Sequence, residues 1–167
     1  FEEYLTTTVM PGLHCEGYCP YALALLDASR RVRDWINLPT EAMGPEQLQS
    51  AVFETALAFN AKAEAIIGDD LLIQNFPTIH AVGRASHRAP RLLRLDWGDS
   101  ANPHVVLCGK GVCFDTGGLD IKAADGMRNM KKDMGGAAHA LGLSRLIMQR
   151  KLPIRLTLLI PAVENAI

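Results

Sequence analysis

The sequence predicts an α/β fold, a largely parallel sheet flanked by helices. Stretches with apolar residues at helical spacing alternate along the chain with short apolar runs. Two of those runs, HVVLCG (His104–Gly109) and IRLTLLIPA (Ile154–Ala162), are nearly continuous rather than alternating, the pattern of strands buried on both faces of a parallel sheet. A long helical stretch lies between them.

The elements follow in order. ALALLDASRRVRDWI (Ala22–Ile36) places Leu25, Leu26, Ala28, Val32, Trp35 and Ile36 at helical spacing with arginines elsewhere, an amphipathic helix that Pro39 ends. Gly44–Ala61 reads as a second helix, with Pro45 suited to its first turn. KAEAII is a short strand, followed by a weak helix near DDLLIQ, and RLLRLDW (Arg91–Trp97) is a strand. The long helix reaches at most from Gly126 to Arg150. Its start is expected near Asp133, because Gly135 and Gly136 would each weaken a helix interior by about 1 kcal/mol. Soft joints are confined to TTTVMPG and GDSANP; there are no repeats or low-complexity runs.

The totals narrow the function. The 167 residues make one domain or a piece of a larger one, and 49% apolar residues suffice for a core. A net charge of −1 argues against a general binder of nucleic acid or membrane surfaces. No apolar run approaches the roughly 20 residues that span a bilayer. FEEYL is not a secretory signal, and the missing initiator Met leads us to expect a trimmed or fragmentary chain. His14, Cys15 and Cys19 in HCEGYC could form half a zinc site; Cys108 and Cys113 lack matching ligand spacing and are expected as small buried hydrophobes. Nothing calls for disulfides, so a reducing cytosol is the expected compartment.

The segment GKGVCFDTGGLDIKAADGMRNMKKDMGG (Gly109–Gly136) concentrates opposed charge just past a strand end, where open α/β sheets bind ligands. Lys110 is either a strand-exit lysine reaching water or a buried amine held neutral by a metal. It is not a P-loop lysine, because Gly111 follows it where Ser or Thr is required. Asp115 is either a turn aspartate accepting backbone bonds ahead of Gly117 and Gly118 or a metal carboxylate held by that turn. Asp133 suits a helix N-cap, a role compatible with metal ligation. Lys122 and Asp125 could form a surface pair, while Asp120, Lys131 and Lys132 read as solvated. Met127, Met130 and Met134 have core spacing, and His139 reads as a satisfied helix histidine. Taken together, hard oxygen ligands and lysines around glycine turns suit a divalent-metal hydrolase.

GKGVCFDTGGLDIK followed by MRNMKKDMGGAA resembles the metal-binding core of the leucyl aminopeptidases of peptidase family M17, also called cytosol aminopeptidases. RVRDWINLPTEAMGPEQL and LPIRLTLLIPAVEN are similar to the family's segments before and after that core, so the resemblance runs from about residue 22 to the end. It implies a mixed, largely parallel sheet flanked by helices, a segment or interdomain linker over residues 1–21, and the N-terminal half of a metallo-aminopeptidase catalytic domain over 22–167. It implies two divalent ions, Mn or Zn with Mg or Co as alternatives. Lys110, Asp115 and Asp133 would be ligands, with Asp115 bridging and Lys110 a neutral amine. Lys122 would be the catalytic lysine at the scissile carbonyl, and Met130 would line the pocket for the first side chain.

The implied reaction is removal of leucine-like residues from peptides with a free N-terminus, through a metal-activated water, in a cytosolic homohexamer. The family's second signature, NTDAEGRL, does not occur in this sequence. It supplies an Asp ligand, a bridging Glu and an arginine that can hold bicarbonate, so this chain is expected to be inactive alone. The resemblance leaves two other classes open: a metal-dead structural or regulatory relative, and a nucleic-acid-binding role such as some family members have, against which the near-neutral charge and the lack of a basic aromatic stripe speak.

Overall fold

The computed structural model describes residues 20–167; His14, Cys15 and Cys19 lie outside the described residues. In chain order the elements are α1 (Pro20–Asn37), α2 (Pro45–Ala58), β1 (Lys62–Ile67), α3 (Asp70–Ile73), α4 (Pro77–Gly83), β2 (Arg91–Trp97), β3 (His104–Cys108), β4 (Gly111–Asp115), α5 (Ala124–Met127), a 3₁₀ turn (Met130–Met134), α6 (Gly135–Gln149) and β5 (Arg155–Asn165).

The sheet is mixed, as expected, and runs β1-β2-β5-β3, with β4 also paired to β5. Its pairings divide evenly. β1–β2 and β2–β5 are antiparallel; β3–β5 and β4–β5 are parallel. A parallel return from β1 to β2 would need a long crossover, and α3 and α4 have only 4 and 7 residues. The 11-residue β5 organises the sheet: its first half pairs with β3 and its second half with β4. β3 and β4 therefore lie end to end along one side of β5, joined at Gly109–Lys110.

One sheet face carries the core. Leu93 and Leu95 of β2 and Leu156, Leu158 and Ile160 of β5 are completely buried, at the period of two that a strand imposes. Leu48 and Val52 of α2 and Leu141 and Met148 of α6 complete the cluster. In α1 the buried stripe is Ala24, Ala28 and Val32, four residues apart, so the expected core residues Leu25 and Leu26 fall off it and are exposed.

Three further expectations are corrected. β3 is not buried on both faces: His104, Val106 and Cys108 are exposed, because β3 ends the strand order and its second face has no cover among the described residues. Cys108 is therefore not a buried hydrophobe, whereas Cys113 is. Asp133 is not the cap of the long helix; that helix begins at Gly135 with Met134 at the cap position and no side-chain cap bond. Asp133 sits in the 3₁₀ turn, and its carboxylate faces Lys110 instead. β4 and α4 are not visible in the sequence pattern at all.

Candidate metal and catalytic site

Two glycine contacts seat α6 against the β3–β4 junction. A Cβ at Gly109 would lie 2.7 Å from Ala137 Cα and 2.8 Å from Gly136 O; one at Gly136 would lie 3.1 Å from Lys110 N. With both side chains absent, the Ala137 N–H donates to the Lys110 carbonyl at 2.9 Å. The start of α6, and the 3₁₀ turn before it, are thereby held beside β4. The glycines expected to weaken the helix occupy its first turn, where close approach matters more than helix propensity.

At the other end of β4, Asp115 leads into a turn that only glycine can make. Gly117 has φ +95°, and a Cβ there would meet Asp120 O at 2.3 Å. The Gly117 N–H donates to Asp115 Oδ1 at 3.0 Å. The Lys122 N–H donates to Thr116 O at 2.9 Å, folding the loop back so that Lys122 Nζ donates to Asp115 Oδ2 at 2.5 Å. Asn165, paired with Asp115 in the parallel register, donates from Nδ2 to Oδ1 at 2.7 Å. Burial pushes the Asp115 carboxyl up, but the bonds from Lys122, Gly117 and Asn165 outweigh it and hold the group below the usual carboxylate range. Asp115 is thus an ionised carboxylate at neutral pH.

Lys110 and Asp133 form the second pair, Nζ to Oδ2 at 2.7 Å. The lysine side chain is 61% exposed and the aspartate 16%, so Lys110 leaves its strand for water rather than being a buried amine. Asp133 Oδ2 is buried, and the Lys110 contact lacks hydrogen-bond geometry, leaving the oxygen without a hydrogen-bond partner. A buried carboxylate oxygen in that state fits a cation.

The other charges sort as follows. Asp125 pairs with Arg128 at 3.5 Å, not with Lys122, because the 116–122 turn commits Lys122 to Asp115. Asp120 is exposed, and Lys131 donates to the Asn37 carbonyl at the end of α1. His139 is satisfied by Gly135 O at 2.7 Å, as expected. Of the three methionines only Met134 is core; Met127 and Met130 are half-buried. Asn165 lies in the AVEN stretch that resembles the family's segment after the long helix, but its contact with Asp115 arises only from the β4–β5 register. Among the described residues no group of three His, Cys, Asp or Glu side chains is arranged to hold a metal ion.

Two carboxylate–lysine pairs thus stand at the two ends of β4, Lys110 with Asp133 and Asp115 with Lys122. The profile of the cytosol aminopeptidase family's catalytic domain matches residues 30–167, and the chain belongs to that family. It is similar to peptidase B of Pectobacterium carotovorum, 41% identical over 145 residues that cover 81% of this chain and 33% of the relative. Among solved structures, cytosol aminopeptidase from Coxiella burnetii superimposes with TM-score 0.84 at 58% identity, covering 86% of this chain and 31% of that one. The bottromycin maturation enzyme BotP, solved in complex with Mn, gives TM-score 0.81 at 32% identity over 87% of this chain and 32% of its own. The chain spans about a third of the length of these relatives. No helix of the described residues is long and apolar enough to cross a membrane.

Proposed function

We propose that this chain carries part of the active site of a two-metal aminopeptidase that removes leucine-like N-terminal residues from peptides. The observation that carries the reading is the Asp133 oxygen, buried and without a hydrogen-bond partner beside Lys110. Lys110, Asp115 and Asp133 would hold divalent ions, Mn or Zn. When bound, such ions supply Lewis acidity and a nucleophile at neutral pH.

The chain's own residues do the rest. Asp115 is held ionised by three donors, so its charge is available without a proton to remove. Lys122 is tethered by the 116–122 turn and presents its ammonium at the same carboxylate. From there it meets negative charge that develops on the scissile carbonyl oxygen, a stabilisation preorganised by the turn. Met130, half-buried at the start of the 3₁₀ turn, would border the substrate's first side chain. The remaining ligands, a bound bicarbonate, a homohexameric assembly and a cytoplasmic location belong to the same proposal for the whole protein, as does the division at residues 21 and 22.

The test uses the full-length gene product. Hydrolysis of a leucine chromogenic amide is expected with added Mn²⁺ or Zn²⁺, to be lost with chelator and restored by metal. Activity indifferent to chelation would overturn the reading, and absence of hydrolysis with every metal would favour a structural or regulatory relative.

A further inference from the structure

We infer that Asn165 is a positioning residue for the Asp115 carboxylate, holding Oδ1 so that Oδ2 is presented to cations. The inference rests on the proposed reading of Asp115 as a metal ligand.

Asp115 Oδ1 receives two N–H groups from different directions, Gly117 N at 3.0 Å and Asn165 Nδ2 at 2.7 Å. Two fixed donors on one oxygen define the rotation of the carboxylate, and Oδ2 is left pointing at Lys122. The amide must present its nitrogen, because an ionised carboxylate can only accept. A neutral donor also suits the position chemically. A lysine there would compete for the carboxylate's charge, and an aspartate would repel it.

Asn165 is itself held. Its backbone oxygen accepts both the Thr116 N–H at 3.0 Å and the Thr116 hydroxyl at 2.9 Å. The preceding residue, Glu164, accepts from the Ser86 hydroxyl at 2.8 Å and faces the Arg88 guanidinium at 3.9 Å. Arg88 donates to Thr40 O at 2.7 Å, and the Thr40 hydroxyl returns to Cys113 O of β4 at 2.8 Å. The end of β5 is thus tied through two loops back to the strand that carries Asp115. Gly118 completes the fit: a Cβ there would press on Asn165 Oδ1 at 3.2 Å.

The experiment compares Asn165→Ala and Asn165→Leu with the wild-type full-length protein. Leucine keeps the heavy-atom count and branching of asparagine and cannot donate. Mn²⁺ affinity is read by electron paramagnetic resonance, and kcat and KM on the leucine amide are measured separately. Both variants are expected to bind Mn²⁺ about 10-fold more weakly, as loss of a partner that orients a metal ligand does. Their kcat should fall about as much, with KM within about twofold of wild type. If Asn165 only fills space, Asn165→Leu restores wild-type metal affinity and kcat, and the inference is overturned. Should Asn165→Ala fail to fold, Asn165→Leu still decides. Wild-type protein that binds no Mn²⁺ would overturn the metal-site reading itself, and this inference with it.

Discussion

Lys110 and Asp133 meet across the contact between β4 and the 3₁₀ turn, Nζ to Oδ2 at 2.7 Å, with the lysine largely in water and the carboxylate oxygen buried. Twenty-two residues of sequence separate them, and the close approach of Gly109 and Gly136 brings them together. The ammonium stands where a cation fits. Replacing Asp133 with Asn keeps the shape and removes the charge, so the variant should melt within a few degrees of wild type in the absence of metal. Its Mn²⁺ content by mass spectrometry should fall at least 10-fold. Full metal loading of Asp133→Asn would remove Asp133 from the site.

The glycine junction is a packing claim with its own test. Alanine at Gly109 places a Cβ 2.7 Å from the Ala137 backbone, which cannot rotate away. Overpacking of this kind costs about 1–3 kcal/mol. The melting temperature should drop by roughly 2–4 °C for each kcal/mol in a domain of this size. An unchanged melting temperature for Gly109→Ala would show that α6 is not seated as described.

Much of this was legible in the sequence, for identifiable reasons. α1 and α2 follow helical spacing, and β1, β2 and β5 follow strand composition, so local signal and tertiary structure agree. The pairing of Asp115 with Lys122 was not legible, because the 116–122 turn depends on positive φ at Gly117 and Gly118 and not on apolar pattern. β3 misled because a continuous apolar run looks the same whether or not both faces are covered. Asp133 misled because a 3₁₀ turn and an α-helical first turn share one sequence signature. The contact of Asn165 with Asp115 was not legible because the two lie 50 residues apart and meet only through the parallel β4–β5 register.

The cysteines should separate by reactivity. Cys113 is fully buried, and burial, with smaller contributions from Glu164 and Glu46, pushes its thiol up to about 12. Cys108 is exposed at the end of β3. Under native conditions at pH 8, iodoacetamide should label Cys108 and spare Cys113, as read by peptide mass spectrometry. Because the folded state disfavours the Cys113 thiolate, its contribution to stability is fully present below the ordinary thiol pKa of about 8.5 and is lost progressively as pH rises toward 12. Rapid native labelling of Cys113 would contradict its placement.

Acid should weaken the fold partly through Asp96. Burial raises its carboxyl, but bonds from Thr157 and Arg94 outweigh that and leave it below the usual range. Its contribution is therefore present above the unfolded carboxyl value of about 3.9 and is lost as pH falls through the lower folded value. Asp96→Asn should be less stable than wild type at pH 7 and should converge with it by about pH 2, as followed by urea denaturation. A constant difference across that range would mean that the Asp96 contribution is not electrostatic.

The central claim is that Lys122, tethered to Asp115, acts on the reacting carbonyl rather than holding the fold. The direct measurement is kcat of Lys122→Ala in the full-length, metal-loaded protein, alongside its metal content. The account predicts a fall of about 10²–10³ in kcat, the loss typical of removing one donor from a developing oxyanion, with metal content unchanged. Wild-type kcat in Lys122→Ala at full metal occupancy would contradict it.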